Sequence, residues 1–433
     1  MQKIAIGLLG CGTVGSAVAE LINENQQEIS RRAGKELIIK KVLVSDATKK
    51  RTSALPQSVF TTEINDILDD PEISIVVEVM GGIEPAKQYI LQAIARGKHV
   101  VTANKALLAE QGKDIIQQAQ KMATMLMFEA AVAGGIPIVK VLKEGLVANH
   151  IKQISAIVNG TSNYILTDMY YQQNDFTTVL KAAQAAGYAE LDPTFDLEGI
   201  DAAHKITLLA TIAFGIPLSF DKVDISGIRV ITQLDIQYAK ELGYIIKPLA
   251  VTQCKDTGYA LSIFPALLLK DHPLARVDGV MNALFVSADG VGDTMYYGAG
   301  AGGRPTASAV IADIVDVVRT MTTDPEQRVP HLAYQDISQP VTFMSKDEIK
   351  YANYLRVMVD DKVGVLASIT QALANNNISI EAIIQKETNM DNNIVPIVIL
   401  TKQASETNVD NVITELSQLP CVKEDVIRIR LIG

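Results

Sequence analysis

Short apolar runs alternate with longer helical patterns through the N-terminal third of the chain. Runs rich in β-branched residues predict five strands: Lys3 to Leu9, Glu36 to Ser45, Ser74 to Met80, His99 to Thr102 and Thr124 to Glu129. Apolar residues spaced by three and four predict three helices: Thr13 to Glu24, Glu84 to Arg96 and Ala106 to Met122. Strands and helices in repeated alternation are typical of a parallel sheet with helical crossovers. We therefore expect a doubly wound α/β domain.

The pattern changes from Ala130 onward, where longer apolar segments begin. They predict strands between Tyr244 and Tyr297, and three helices: Ser162 to Gln172, Thr177 to Ala186 and Asp201 to Phe214. This is typical of an α+β domain. The glycine cluster GAGAGG closes the region, and the helix after Arg304 is expected to return to the first domain.

The remaining chain divides into a linker and a further module. Between Met321 and Lys350 the sequence is polar and contains prolines, which favours a linker. From Tyr351 to Leu431 the pattern predicts the order βαββαβ, which is ferredoxin-like. The predicted boundaries are a first domain over 1–130, joined by 303–322, a central domain over 131–302, a linker over 323–350 and a C-terminal domain over 351–433.

Composition restricts the class of partner. The 433 residues carry a formal net charge of −10, which disfavours nucleic acid and anionic membranes and favours a small-molecule substrate. The three cysteines, Cys11, Cys254 and Cys421, show neither metal-ligand nor CxxC spacing, so we expect a reducing compartment. The apolar run Ile4 to Gly10 is too short to span a bilayer and no cleavable leader precedes it. A cytoplasmic protein is expected.

A glycine-rich turn lies between the first predicted strand and helix, in IAIGLLGCGTVGSAVAELI. Gly10, Gly12 and Gly15 have the G-x-G-x-x-G spacing of a dinucleotide-binding loop. In such a loop the glycines allow a tight turn, a close approach to the pyrophosphate and tight helix packing. Thr13 and Val14 begin the helix whose N-terminus would face the phosphates. The sequence therefore predicts a Rossmann-type site for NADP or NAD.

The choice between the two cofactors stays open. Asp46, at the end of the second predicted strand, is a candidate acceptor for a ribose hydroxyl, although it lies further from the glycines than the usual roughly 20 residues. Lys49, Lys50 and Arg51 follow it and would suit a 2′-phosphate, unless they form only a solvated loop.

The predicted helix DAAHKITLLATIAF carries a lysine in apolar surroundings. Asp201 and Lys205 are four residues apart, and the stripe that they share continues with Leu208 and Ile212. An exposed salt bridge would instead lie on a polar stripe. A lysine in a partly apolar site should have a lowered pKa, which makes it a usable proton donor to an alkoxide.

Other polar residues surround these motifs. The segment before Lys205 supplies a group of acids that either face solvent or bind a substrate ammonium group: Glu190, Asp192, Asp196, Glu198 and Asp201. Lys105 follows the fourth predicted strand, at the carboxyl edge where parallel sheets bind ligands. Glu129 precedes a glycine turn whose carbonyls could hold a hard cation.

Taken together, the motifs resemble the homoserine dehydrogenase family, and the resemblance runs through the whole chain. The segments that carry it are GLLGCGTVG, VVTANKALL, FEAAVAGGIPI, IVNGTSNYIL, AAGYAELDPTFDLEGIDAAHK and YYGAGAGGRPTASAV. The resemblance implies a monofunctional enzyme that interconverts aspartate 4-semialdehyde and homoserine with NAD or NADP. It would act in the biosynthesis of threonine, methionine and isoleucine.

The resemblance also implies residue roles. Lys205 would donate the proton, while Lys105 would assist at the reacting carbonyl and contact the cofactor. Glu190, Asp196 and Asp201 would bind the amino acid, Thr161 and Asn163 would lie near the nicotinamide and substrate, and Gly187 and Gly302 near the cofactor. A structural Na⁺ would lie at Glu129, Val132, Gly134 and Ile136.

The C-terminal domain resembles an ACT domain, with its ligand loop in DDKVGVLASI. This implies an amino-acid effector, which we expect to be threonine because it is a downstream product. ACT domains bind effectors between paired copies, which implies a homodimer or homotetramer. The family often has proline before the loop glycine, whereas this chain has Val363.

Other functions fit less well. A 2-hydroxy-acid dehydrogenase would use a histidine paired with a carboxylate, and an aspartate semialdehyde dehydrogenase would need a nucleophilic cysteine within a motif. A non-catalytic sensor that binds nicotinamide and an amino acid would not need Lys205 on an apolar stripe, and this is the remaining alternative.

Overall fold

The computed structural model describes residues 1–49, 51, 55–337, 340–386 and 393–432. Its strands are β1 (Lys3–Leu9), β2 (Glu36–Leu43), β3 (Phe60–Thr61), β4 (Ile73–Glu78), β5 (His99–Thr102), β6 (Leu126–Met127), β7 (Ile151–Ile157), β8 (Val223–Ile225), β9 (Tyr244–Lys255), β10 (Gly258–Leu269), β11 (Met281–Ala288), β12 (Gly292–Ala299), β13 (Lys350–Asp360), β14 (Ile380–Gln385), β15 (Ile394–Thr401), β16 (Ala404–Ser405) and β17 (Ile427–Ile432). Its α-helices are α1 (Thr13–Glu24), α2 (Gln26–Ala33), α3 (Asn65–Leu68), α4 (Ala86–Ala95), α5 (Lys105–Lys121), α6 (Ile138–Lys140), α7 (Gly160–Gln172), α8 (Phe176–Ala185), α9 (Thr194–Leu197), α10 (Ile200–Phe214), α11 (Gln233–Glu241), α12 (Gly303–Thr320), α13 (Val365–Asn375) and α14 (Glu406–Ser417). Among these described residues, no helix has both the length and the apolar character that crossing a bilayer requires.

The first compact unit comprises Met1–Lys152, Asp201–Asp221 and Met281–Pro340. Its parallel sheet has the strand order β3-β2-β1-β4-β5-β6, the order of a doubly wound dinucleotide fold. Helix α12 shares one apolar core with α1 and the sheet. The Rossmann-type prediction is confirmed.

Several details of this unit differ from the elements that the sequence predicts. The second predicted strand ends at Leu43 instead of Ser45, and the fifth shortens to Leu126–Met127. Helix α2 was missed because its sequence, QQEISRRA, is mostly polar and buries only Ser30 and Ala33. This second helix accounts for the long interval between the glycine loop and Asp46.

The second unit comprises Gln153–Ile200, Lys222–Val280 and Val341–Gly433. Its strands follow the order β7-β9-β10-β17-β13-β15-β14. The last four form the ferredoxin-like arrangement, with α13 and α14 contributing to a common core that contains Ile369 and Val412. The predicted βαββαβ module is therefore confirmed.

Strand β10 is central to this unit. It pairs antiparallel with β9 along one edge. Its other edge is shared by β8 at Leu261–Ile263 and β17 at Ala266–Leu268, both in parallel pairing. Tyr259 forms a bridge with Phe343 at the start of the same edge. The C-terminal module and the central strands of this unit thus form one continuous sheet.

Candidate active site

The glycine loop has the shape of an anion site. Gly10 follows β1 and has a φ of +100°, and a Cβ on Gly15 would lie 2.3 Å from the carbonyl oxygen of Gly10. Gly12 is the N-cap of α1, and a Cβ built there would meet nothing within 4 Å. Thr13 and Val14 form the first turn of α1, where no side chain caps the backbone N–H groups. Open space in front of uncapped N–H donors suits a pyrophosphate.

The turn after β2 holds the residues considered for the ribose. The Asp46 carboxylate accepts hydrogen bonds from the Thr48 hydroxyl and backbone N–H at 2.7 and 2.8 Å, and these bonds lower the pKa of Asp46. Arg51 donates to the Asp46 carbonyl at 2.8 Å and stacks over Phe60. Lys50 lies outside the described residues. An acidic acceptor and a basic group therefore occupy the same turn.

Lys105 is the first residue of α5, and a chain of hydrogen bonds fixes this start. Thr102, which ends β5, donates to the buried Glu78 carboxylate at 2.6 Å and accepts the Asn104 N–H at 3.0 Å. Asn104 caps the helix by accepting the Leu107 N–H at 3.2 Å. The segment TANK therefore places Lys105 at the carboxyl edge of the sheet.

One carboxylate joins the two predicted catalytic lysines. Asp201 lies in the first turn of α10, 2.6 Å from the Nζ of Lys205 and 3.2 Å from the Nζ of Lys105. Lys205 is only 8% exposed, and the helix is buried from Asp201 to Ala213. The Asp201–Lys205 pair is therefore not an exposed helical salt bridge. It is a buried charged group beside the sheet edge, with each carboxylate oxygen on one ammonium group.

A contact that the sequence analysis missed aligns the two helices that carry this cluster. The Nε2 of His204 lies 2.9 Å from a Glu110 oxygen, and the imidazole stacks on Phe220. Burial lowers the pKa of His204, while Glu110 opposes that shift. The two residues are 94 positions apart, so no local pattern could reveal the pair.

Residues predicted near the nicotinamide and substrate begin α7 in the second unit. The Thr161 hydroxyl donates to the Tyr188 carbonyl at 2.7 Å. Asn163 is fully buried, and its amide nitrogen donates to the carbonyls of Val277 and Gly279 at 2.9 and 3.0 Å. Lys247 lies 3.5 Å from the Asn163 amide oxygen. These contacts fix the turn after Val277 to the start of α7.

The acidic residues of the second unit differ in their surroundings. Asp196 accepts a hydrogen bond from the Asn159 side chain at 2.7 Å, and Glu198 pairs with Arg229 at 2.5 Å. Glu190 is exposed, and Gly187 has a φ of +75°. The predicted substrate and cofactor roles of Glu190, Asp196, Thr161, Asn163 and Gly187 stay predictions.

The residues predicted to hold a cation form a turn against the glycine cluster. Both oxygens of Glu129 accept backbone N–H groups, from Val139 and Lys140, at 2.8 Å each. A Cβ on Gly134 would lie 2.5 Å from the Gly300 carbonyl, and Gly302, with a φ of +111°, is the N-cap of α12. Among the described residues, no three His, Cys, Asp or Glu side chains gather as a metal-binding group.

Comparisons with known proteins extend this picture. The homoserine dehydrogenase family model matches residues 137–315, the model of its NAD-binding domain matches 10–129, and an ACT-domain model matches 353–421. A homoserine dehydrogenase of Neisseria gonorrhoeae is 48% identical over 432 residues, which cover 100% of this chain and 99% of that protein. The chain belongs to the homoserine dehydrogenase family.

Solved structures of the family agree with this assignment. A homoserine dehydrogenase from Thiobacillus denitrificans matches with a TM-score of 0.94 at 49% identity, over 100% of this chain and 99% of that one. A hyperthermophilic archaeal homoserine dehydrogenase in complex with NADPH matches with a TM-score of 0.62 at 28% identity, over 73% of this chain and 97% of that one. Membership of the homoserine dehydrogenase family supports an enzyme and not the non-catalytic sensor.

Proposed function

We propose that this protein catalyses the reversible NAD(P)-dependent reduction of L-aspartate 4-semialdehyde to L-homoserine, in the biosynthesis of threonine, methionine and isoleucine. The observation that carries the proposal is the Lys105–Asp201–Lys205 cluster, in which Asp201 and Lys205 are buried, together with a dinucleotide-type glycine loop in the same unit. The names of the family relatives support the same reaction.

The first unit supplies residues that would hold a nicotinamide cofactor. The open space at Gly12 and the uncapped first turn of α1 fit its pyrophosphate, and Asp46 or Arg51 fits its adenosine ribose or a 2′-phosphate. When bound, the cofactor supplies hydride to the aldehyde carbon or accepts it in the reverse direction. Gly302 and Lys105 are proposed as further contacts.

In the reduction, Lys205 protonates the alkoxide that develops on the aldehyde oxygen. Asp201 keeps the Lys205 ammonium charged and oriented at 2.6 Å, and also holds Lys105 at 3.2 Å. Lys105 assists by placing a second positive charge near the reacting carbonyl. Neutralising this oxygen is the main catalytic work of the chain, because charge develops there in the transition state. In the oxidation direction Lys205 accepts the hydroxyl proton of homoserine.

The first test is homoserine-dependent reduction of NAD and of NADP, followed by absorbance. Turnover with either cofactor supports the proposal, and the ratio of the two kcat/KM values gives the preference. Folded protein that turns over homoserine with neither cofactor contradicts it.

A structural Na⁺ is proposed at Glu129 with the carbonyls of Val132, Gly134 and Ile136. Burial raises the pKa of the Glu129 carboxyl to about 7, although two backbone N–H groups oppose the shift. Burial disfavours the charged form of Glu129, so a cation bound beside it would stabilise that form. Oxygen ligands of this kind would offer no activated water.

Threonine is proposed as the effector of the ACT domain. The loop between β13 and α13 has Gly364 at a φ of +90° and Val363 fully exposed, while Asp360 pairs with Lys362 and Lys423 at 3.1 and 3.2 Å. Saturating threonine should lower homoserine turnover and raise the melting temperature; the hypothesis fails if neither changes. A homodimer or homotetramer is proposed, and sedimentation velocity would distinguish the two.

A further inference from the structure

A second cavity lies in the first unit, apart from the Lys105–Asp201–Lys205 cluster. It has a volume of about 400 Å³, within the range of small-molecule sites. The segment 325–335 covers it, over the end of α5, strand β6 and helix α6. The Nε2–H of His331 donates to the Thr124 carbonyl at 3.0 Å, and the Tyr334 hydroxyl donates to the Ala213 carbonyl at 2.9 Å. These contacts hold the cover in place.

The cavity contains a buried lysine that has no hydrogen-bond or ion-pair partner among the described residues. Lys143, in the π-helical turn Val141–Gly145, is 8% exposed and lines the cavity. Within the described part of the chain its Nζ makes no hydrogen bond or ion pair, and it lies 5.7 Å from the centroid of the Phe128 ring. The other buried lysines, Lys98, Lys205 and Lys247, all donate to oxygen atoms.

The acids that act electrostatically on Lys143 are Asp313, Glu144 and Glu129, and each also binds another group. Both oxygens of Glu129 accept N–H groups of α6, and Asp313 accepts the Glu129 N–H at 2.8 Å. Glu144 pairs with Lys140 at 3.9 Å. Burial lowers the pKa of Lys143, and these acids oppose that shift without cancelling it. An incoming carboxylate would stabilise the charged ammonium.

A second unpaired donor lines the same cavity. The terminal nitrogens of Arg328 donate to the carbonyls of Ala123, Met321 and Thr323 at 2.8, 3.2 and 2.9 Å. Its Nε–H is buried and has no partner in the described structure. The lining carries four basic side chains against three acidic ones, and its remaining surface includes Met125, Leu126 and Pro330. Cationic donors beside an apolar wall suit a small organic anion.

We propose that this cavity binds a small aliphatic carboxylate, with its carboxylate on Lys143 and Arg328 Nε–H as a further donor. The site uses none of the residues assigned to the reaction, so it can be tested whether or not the proposed function holds.

The test is the melting temperature of the full chain in sodium butyrate, sodium phosphate and sodium chloride, at matched sodium concentration and ionic strength. Butyrate should raise the melting temperature by at least about 2 °C and saturate, relative to chloride. Lys143→Met should abolish the shift, whereas Lys143→Arg and the surface control Lys121→Met should retain it. An equal shift in Lys143→Met, a shift with phosphate alone, or no shift overturns the proposal.

A second measurement does not depend on a variant. Crystals of the wild-type chain soaked in 4-bromobutyrate should show an anomalous bromine peak in the cavity. A data set without that peak, from crystals in which the cavity is open to solvent, also overturns the proposal.

Discussion

Two lysines buried in the first unit differ in their surroundings. Lys205 on α10 lies 2.6 Å from a carboxylate that also binds Lys105, whereas Lys143 on the turn after α6 has no hydrogen-bond or ion-pair partner in the described chain. Both are 8% exposed, so burial alone does not distinguish them. The difference lies in the counter-charge. A complete ion pair suits a group that exchanges a proton with substrate, and an incomplete one suits a group that receives an anion.

The largest expected effect comes from removing the paired lysine. Lys205→Met should lower kcat for homoserine oxidation by about 10²- to 10⁴-fold, because the proton acceptor is lost. Cofactor binding, measured by quenching of NADPH fluorescence, should persist, since the glycine loop is untouched. Lys121→Met, at the exposed end of the helix that carries Lys105, is the matched control. A loss of less than tenfold in kcat would contradict the role of Lys205.

Removing only the carboxylate charge of Asp201 should lower kcat by a smaller factor. Asp201→Asn should lower kcat by about ten- to hundredfold, the kinetic equivalent of one charge-assisted hydrogen bond. The ammonium of Lys205 would then lose its proton more easily, so the alkaline limb of the pH–rate profile for aldehyde reduction should move to lower pH. An unchanged profile would mean that Asp201 does not act through Lys205.

A smaller effect on kcat is expected at Glu110, which only helps to align the two helices that carry the cluster. Glu110→Gln weakens the contact to His204 and should lower the free energy of unfolding by about 1 kcal/mol. It should lower kcat by less than about tenfold, and the pH–rate profile should keep its shape because no proton-transfer group changes. Urea unfolding and the rate profile check the two parts. A loss as large as that of Lys205→Met would place Glu110 in the chemistry itself.

The smallest effect on stability is expected at the unpaired lysine. Lys143→Met removes a buried amino group that has no hydrogen-bond or ion-pair partner in the described chain, so the free energy of unfolding should stay unchanged or rise by about 1 kcal/mol. Lys205→Met leaves Asp201 buried with one partner fewer, and should lower the free energy of unfolding by about 1–3 kcal/mol. Urea unfolding in a buffer free of carboxylates compares the two. Equal destabilisation would remove the distinction between the lysines.

The fold was predictable where local patterns dominate. Helix α1 was predicted with its observed bounds, because a glycine turn precedes it and its apolar residues recur at helical spacing. Helix α2 was not, because a short polar helix has no apolar stripe to recognise. The ferredoxin-like order followed from its alternating strands, but the pairing of β17 with β10 depends on residues more than 150 positions apart.

The candidate site, like the fold, was predictable only where its contacts are local in sequence. Asp201 and Lys205 are four residues apart on one helix, so their pairing was readable from spacing. The contact of Lys105 with Asp201, and of Glu110 with His204, depends on how α5 and α10 pack. Lys143 lies in PIVKVLKEGL, and nothing in this segment indicates that the lysine is buried. Its burial depends on a cavity that the distant segment 325–335 covers.

The shared edge of β10 bears on how this protein can be shortened. Three separate parts of the chain cover that edge, and the last of them, β17, belongs to the C-terminal module. A variant truncated after the linker would leave the backbone of Ala266–Leu268 bare, and an unpaired edge invites strand exchange between copies. Such a variant would need a charged substitution at that edge to stay in solution. By covering this edge, the C-terminal module should therefore reduce aggregation, whatever effector it binds.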